Sequence, residues 1–224
     1  MEYRVEQKYI VTDAQIEYIK ARLNGFVKRD SNMDGESYII RSVYFDDMRD
    51  TCLSEVEAGV DNREKFRIRT YNNDVSLIKL ELKGKKNGYT SKKATELTKE
   101  ETDALLHREA IYGSGNYLKT KISAKMQCVR LQPVCIVEYE RTAYVDEIGN
   151  VRITFDRNIG GTENIEEFYN PQICAIPALP VGQHIMEVKY DELLPDYIKE
   201  IIDIGRLART SFSKYYFVRM AGMV

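Results

Sequence analysis

The sequence predicts an α+β protein, and three observations carry that prediction. Charged and apolar residues alternate with period two in stretches spread from residue 3 to residue 190. Clusters of turn-forming residues separate neighbouring stretches, and two capping-box signatures each open a segment with helical spacing. Helices laid over an antiparallel sheet satisfy all three.

In chain order, the first strand is expected over residues 3–11, where Arg4, Glu6 and Lys8 alternate with Val5 and Tyr9. Thr12-Asp13-Ala14-Gln15 then opens a helix whose one face carries Ile16, Ile19, Leu23 and Phe26. Strands follow over 37–45, 64–71 and 76–82, with a weaker one over 90–97; Asn72-Asn73-Asp74 and residues 84–88 supply the turns. Thr98-Lys99-Glu100-Glu101 starts a second capped helix backed by Leu105, Leu106 and Ala110, and another spans 118–129 after Gly113-Ser114-Gly115. Strands over 134–145 and 151–157 form a hairpin around Glu147-Ile148-Gly149-Asn150, the last strand is 185–190, and 193–204 and 211–220 read as helices. No repeat or Pro/Ser-rich linker interrupts the chain, so one domain over residues 1–224 is expected.

Composition narrows the function. With 43% hydrophobic and 30% charged residues and 5 prolines in 224 residues, the chain is a folded protein rather than a disordered or fibrous one. The longest apolar run, residues 173–181, is too short to span a bilayer, and residues 1–11 show no secretory pattern, so the expected compartment is the cytoplasm. Cys52, Cys128, Cys135 and Cys174 have no Cys-x-x-Cys spacing and are expected as free thiols. His107 and His184, the two histidines present, are expected in structural roles. A net charge of −2 disfavours duplex nucleic acid, which needs a broad basic surface.

What alternates in the strands is more specific. Glu6 with Lys8; Lys65, Arg67 and Arg69; Lys79, Glu81 and Lys83; Arg152, Thr154 and Asp156; and Glu187 with Lys189 each share one face of a strand, and Glu138 and Glu140 share another. A sheet with one face in water gives such a pattern. So does a closed barrel with its ionic faces turned into a polar tunnel. Arginine forks, lysine point charges and a few carboxylates suit a linear polyphosphate held with a divalent metal. Single-stranded nucleic acid would call for stacking aromatics, which these faces mostly lack.

In order along the chain, Glu6-Gln7-Lys8-Tyr9, Arg41-Ser42-Val43-Tyr44-Phe45-Asp46, Phe66-Arg67-Ile68-Arg69, Glu81-Leu82-Lys83, Glu140-Arg141-Thr142-Ala143-Tyr144, Val151-Arg152-Ile153-Thr154-Phe155-Asp156 and Met186-Glu187-Val188-Lys189 resemble the VTC (vacuolar transporter chaperone) domain. This is the polyphosphate polymerase branch of the CYTH-like triphosphate tunnel metalloenzymes. The resemblance implies a closed antiparallel β-barrel of about eight strands forming a polar tunnel with flanking helices. It implies Lys8, Arg67, Arg69, Arg141 and Arg152 at the reacting phosphates, with Lys83, Lys93, Tyr139, Ser213, Lys214, Glu6 and Glu81 binding substrate. Glu187 and Glu140 would hold Mn²⁺ or Mg²⁺. The family's Lys-Phe-Ser-Lys segment reads Ser211-Phe212-Ser213-Lys214 here, without the first lysine. Arg4, Arg41 and Arg157 are read either as site residues or as surface or barrel-end charges, and Lys85, Lys86 and Lys92 as loop charges screened by solvent.

The implied reaction is polyphosphate synthesis from ATP by a cytoplasmic, bacterial transferase; a triphosphate or tripolyphosphate hydrolase and a non-catalytic polyphosphate sensor are the alternatives. Partners implied are nucleoside triphosphate, polyphosphate and a separate membrane protein, with no nucleic acid and no direct membrane insertion.

Overall fold

Turn chemistry and the pleat set the element order. In the computed structural model, which describes residues 5–222 except 32, 34, 88, 114 and 206, β1 (Val5–Thr12) runs into α1 (Asp13–Leu23), β2 (Lys28–Arg29) and β3 (Tyr38–Asp46). A short α2 (Thr51–Glu57) precedes β4 (Arg63–Tyr71), β5 (Asp74–Lys86) and β6 (Tyr89–Leu97). Then come α3 (Lys99–Leu106), α4 (Tyr117–Val129), β7 (Gln132–Asp146), β8 (Val151–Thr162), β9 (Ile176–Pro177) and β10 (Gln183–Tyr190). Helix α5 (Asp196–Ile202), β11 (Ala208–Arg209) and α6 (Lys214–Gly222) follow. Each of the eight expected strands is present. Arg4 lies outside the described residues.

The described residues fall into two compact units. One draws on residues 1–39, 139–159 and 179–212, the other on 40–138, 160–178 and 213–224. In the first, the strand order is β11-β1-β10-β8-β7, with β2 on β7; in the second it is β3-β4-β5-β6, with β9 on the end of β8. The registers are antiparallel. The class is therefore α+β with a large antiparallel sheet. Among the described residues the pairing ends at β11 and at β6 without closing, so the expected closed barrel is not what the pairing gives. Alternation fixes which side chains share a face; closure depends on strand tilt and shear, which alternation does not encode.

Each unit has its own core. In the first, both capping-box bonds of Thr12 and Gln15 form and start α1, which lays Ile16, Ile19 and Leu23 on Val11, Phe155, Met186 and Val188 beside Ile198 and Ile202 of α5. In the second, Leu105 of α3 and Leu118, Ile122 and Met126 of α4 cover Phe66, Ile68, Ile78 and Leu80. Each buried aliphatic contributes about 1.5–3 kcal/mol, which makes these faces the main stabilising element.

Four expectations change. Helix α1 stops at Leu23, because Asn24 is extended and Gly25 has φ +85°, so Phe26 is left in solvent rather than on the core. Residues 84–86 continue β5 instead of turning. Helices α5 and α6 are shorter than expected. Helix α2 carries no period to announce it; the buried Asp46 carboxylate accepts the Cys52 and Leu53 N–H groups and fixes its first turn.

Candidate functional site: two ionic strand faces

In the second unit, the registers of β3 to β6 align three ranks of side chains. Lys65, Lys83 and Lys92 stand opposite one another; Tyr44, Arg67, Glu81 and Ala94 form the next rank; Ser42, Arg69, Lys79 and Glu96 form the third. Opposed residues share a face, so six cations lie on one side of this sheet.

Glu81 sits at its centre, its side chain 1% exposed. Arg67 reaches Oε2 with Nε at 2.7 Å and Nη2 at 2.6 Å, and Lys92 Nζ lies 2.5 Å from Oε1. Arg69 Nη1 is 3.9 Å from Oε2, and its Nε donates to Ser42 Oγ at 3.1 Å. Burial disfavours the carboxylate, but Arg67, Arg69 and Lys92 outweigh it and hold Glu81 at about 2. Tyr44 Oη accepts from Arg67 Nη1 at 3.0 Å. Burial works against its ionisation, yet Arg67, Arg69 and Lys65 bring the phenol down to about 8.

Register separates two neighbours that the sequence ranked the other way. Lys93 is opposite the buried Leu82 and takes the other face, where its ammonium lies 4.9 Å from the Tyr117 ring centroid. Lys92, read as a loop charge, is in β6 on the cationic face. Ser213 Oγ accepts the Tyr216 N–H at the start of α6, and Lys214 is that helix's first residue. Arg41 is no surface charge: buried, it pairs with Glu138 at 2.6 Å and donates to the Phe168 and Asn170 carbonyls. Lys85 lies 3.8 Å from Asp61, and Lys86 ends β5.

The first unit's face mixes signs. Its ranks are Glu6, Lys189 and Arg152, then Lys8, Glu187 and Thr154, then Ile10, Ile185 and Asp156. Lys8 Nζ is 2.9 Å from Glu6 and donates to the Phe212 carbonyl at 3.1 Å. Burial lowers its proton affinity, but Glu187, Glu6 and Asp156 more than restore it, so the ammonium sits above its usual range. Arg141 grips Asp156 through two bonds of 2.6 and 2.7 Å and lies 5.3 Å from the Tyr139 ring centroid. Arg152 pairs with Asp30 at 2.7 Å and reaches Tyr38 Oη at 3.4 Å. Arg157 pairs with Asp13 and Glu17. His184 is bonded between Asp13 and the Asn158 N–H, and His107 meets the Asp103 carbonyl, both structural contacts.

Glu187 and Glu6 both contact Lys189, at 2.6 and 3.4 Å. The Thr154 hydroxyl, opposite Glu187, is buried without a hydrogen-bond partner among the described residues. Two carboxylates and a hydroxyl make a hard-oxygen donor set, which suits Mg²⁺ or Mn²⁺ shared with phosphate oxygens. Glu140 does not join it, since its carboxylate accepts the Ser37 hydroxyl at 2.5 Å and faces Asn158. Among the described residues no three His, Cys, Asp or Glu side chains converge as a complete cage.

Several residues of these faces were not named as site residues from the sequence. Lys189 and Asp156 lay on alternation already visible. Tyr44 and Asp30 did not, because their partners come from β4 and β8.

The class these features define is an α+β protein whose large antiparallel sheet carries a cation-rich face. The VTC domain family model matches residues 3–220, and the chain belongs to that family. Among solved structures, PH1819 from Pyrococcus horikoshii OT3 is similar at 16% identity, TM-score 0.51, over 97% of this chain and 99% of that one. A putative adenylate cyclase from Bacillus halodurans is similar at 14% identity, TM-score 0.53, over 89% and 86%. At these identities the likeness concerns the fold alone. The search of curated proteins found no match. No helix among the described residues is long and apolar enough to cross a membrane.

Proposed function

We propose that this chain transfers phosphoryl groups on nucleoside triphosphate or polyphosphate, and that its reaction is polyphosphate synthesis from ATP. One observation carries the reading: six cations, Lys65, Arg67, Arg69, Lys79, Lys83 and Lys92, share one face of β4 to β6, whose ranks hold two carboxylates, Glu81 and Glu96. Like charges opposed across strands cost stability in an empty protein, and a linear polyanion offsets that cost. Membership of the VTC domain family supports the same substrate class. The tunnel, a cytoplasmic location, a bacterial source and a separate membrane partner belong to this proposal.

In this reading Arg67 and Arg69, two apart on β4, grip successive phosphates, with Lys83 and Lys92 alongside. Glu81 spaces and orients these cations; bonded to Arg67 and Lys92, it is not available to direct water. Lys8, Arg141 and Arg152 of the first unit contact phosphates, as does Lys214. Glu187 and Glu6 would hold Mn²⁺ or Mg²⁺, which would supply charge neutralisation to the phosphates. The attacking terminal phosphate is already ionised and needs no general base, in keeping with two histidines that are both tied to structural partners.

The test is incubation of the pure protein with γ-labelled ATP and Mn²⁺, with products resolved on a gel. Long chains are expected. Free phosphate alone replaces the polymerase with a hydrolase, and neither product replaces it with a sensor.

A further inference from the structure

The strap that follows α1 sets a buried carboxylate beside an arginine of the first unit's ionic face. Lys28 and Arg29 pair with Val145 and Tyr144 of β7, and the next N–H, that of Asp30, donates to the Ala143 carbonyl at 3.0 Å. The Met33 N–H donates to the Asp30 carbonyl at 3.0 Å and turns the chain. Asp30 is thereby fixed by its backbone, and its carboxylate, 4% exposed, lies 2.7 Å from Arg152 Nη2. The same nitrogen donates to the buried Tyr38 hydroxyl at 3.4 Å. Arg152 stands in one rank with Lys189 and Glu6, and all of these residues belong to the first unit. Since both bonds use Nη2, the Nε and Nη1 donors of Arg152 have no partner among the described residues. Arg141, by contrast, spends Nε and Nη2 together on Asp156.

We propose that Asp30 is a positioning residue for Arg152: with Tyr38 it holds the guanidinium by Nη2 and leaves the Nε and Nη1 donors open to phosphate oxygens of the substrate. The inference rests on the functional reading above and adds to it a residue that does not itself touch substrate. An arginine side chain has many rotamers, and a buried carboxylate that selects one of them removes in advance an ordering cost that binding would otherwise carry. The sign of the effect separates positioning from charge alone. A carboxylate near a polyanion repels it, so if Asp30 acted only through its field, its removal would tighten binding. A carboxylate that positions the arginine does the reverse: its removal weakens binding, and only while Arg152 is present.

The experiment titrates tripolyphosphate by calorimetry into the wild-type full chain and into Asp30→Ala, Asp30→Asn, Arg152→Ala and the double variant Asp30→Ala with Arg152→Ala. Arg152→Ala is expected to weaken binding about tenfold, the loss of one charge-assisted contact. Asp30→Ala should weaken it about fivefold, and Asp30→Asn, of the same size and still an acceptor for Nη2, about two- to threefold. In the Arg152→Ala background, Asp30→Ala should add no further loss. Thermal melting without ligand checks that each variant is folded, and Asp30→Asn carries the test if the alanine variant is not. Binding by Asp30→Ala, or by Asp30→Asn in that case, that equals or exceeds wild type overturns the proposal in favour of a plain field. The same loss on Asp30→Ala with and without Arg152 overturns it too, as an effect of packing. Arg152→Ala that binds as well as wild type overturns the positioning role and leaves the functional reading standing, whereas no binding by wild type overturns both.

Discussion

Lys92 places its ammonium 2.5 Å from Glu81 Oε1, while Arg67 holds the other carboxylate oxygen at 2.6 Å. A strand residue that is half in solvent is thus bonded to a carboxylate that is wholly buried, and its neighbour Lys93 points away from both. Lys92→Ala is expected to weaken tripolyphosphate binding about tenfold, the loss of one charge-assisted contact, and Lys93→Ala by less than about twofold. Calorimetric titration of both variants decides it. A larger loss at Lys93 would place the anion on the opposite face of β6.

Glu81→Gln should destabilise the empty protein by about 3–5 kcal/mol at neutral pH, because two arginines and a lysine lose the buried charge they converge on. The wild-type carboxylate is held at about 2, below the ordinary 4.5. Its contribution is therefore complete above about pH 4.5 and fades as pH falls towards 2. Denaturant unfolding at several pH values should show the gap between wild type and variant closing across that window. A gap that stays constant down to pH 2 sinks the assignment.

Tyr44, brought down to about 8 by the cations around it, predicts an opposite limb. A phenol whose folded value lies below its ordinary 10 adds stability as pH rises from about 8 to 10. Phenolate absorbance should show one early-titrating tyrosine that Tyr44→Phe removes. Saturating tripolyphosphate should move that step to higher pH by setting anionic charge beside it. A step unmoved by the ligand would mean that the anion binds away from Arg67.

Gly161 allows β8 to pass close to its neighbours. A Cβ there would meet the Ile136 carbonyl oxygen at 2.2 Å and Val218 Cγ1 at 2.5 Å. Gly161→Ala is expected to cost at least about 1–3 kcal/mol through overpacking, read as a lower melting temperature with no change in ligand affinity per folded molecule. A melting point equal to wild type would show that the two neighbours yield freely.

The strands, both capping boxes and the family were legible because alternation and capping are local. The order of residues within the faces was only partly so. Lys92 and Lys93 are adjacent, and which of them joins Arg67 is set by the pairing of β5 with β6, a non-local fact. Arg41 reads like any strand charge until Glu138 and two carbonyls surround it. Glu140 and Arg141 sit in one motif yet meet different partners, Ser37 and Asp156, since successive side chains leave a strand on opposite sides. Closure was not legible at all, for alternation is the same in an open and a closed sheet.

The Asp46 carboxylate that starts α2 also accepts the Tyr215 hydroxyl at 2.5 Å, across 169 positions of sequence. At roughly 5–20 residues per second of synthesis, the partner emerges some ten to thirty seconds or so after the aspartate. During that interval the nascent chain holds a carboxylate whose final burial depends on sequence not yet made. Maturation of the second unit is therefore a late event, and α6 acts as its closing clasp: a ribosome stalled before Tyr215 would carry a chain whose first hairpins are paired but whose buried charge is still open to water and to chaperones.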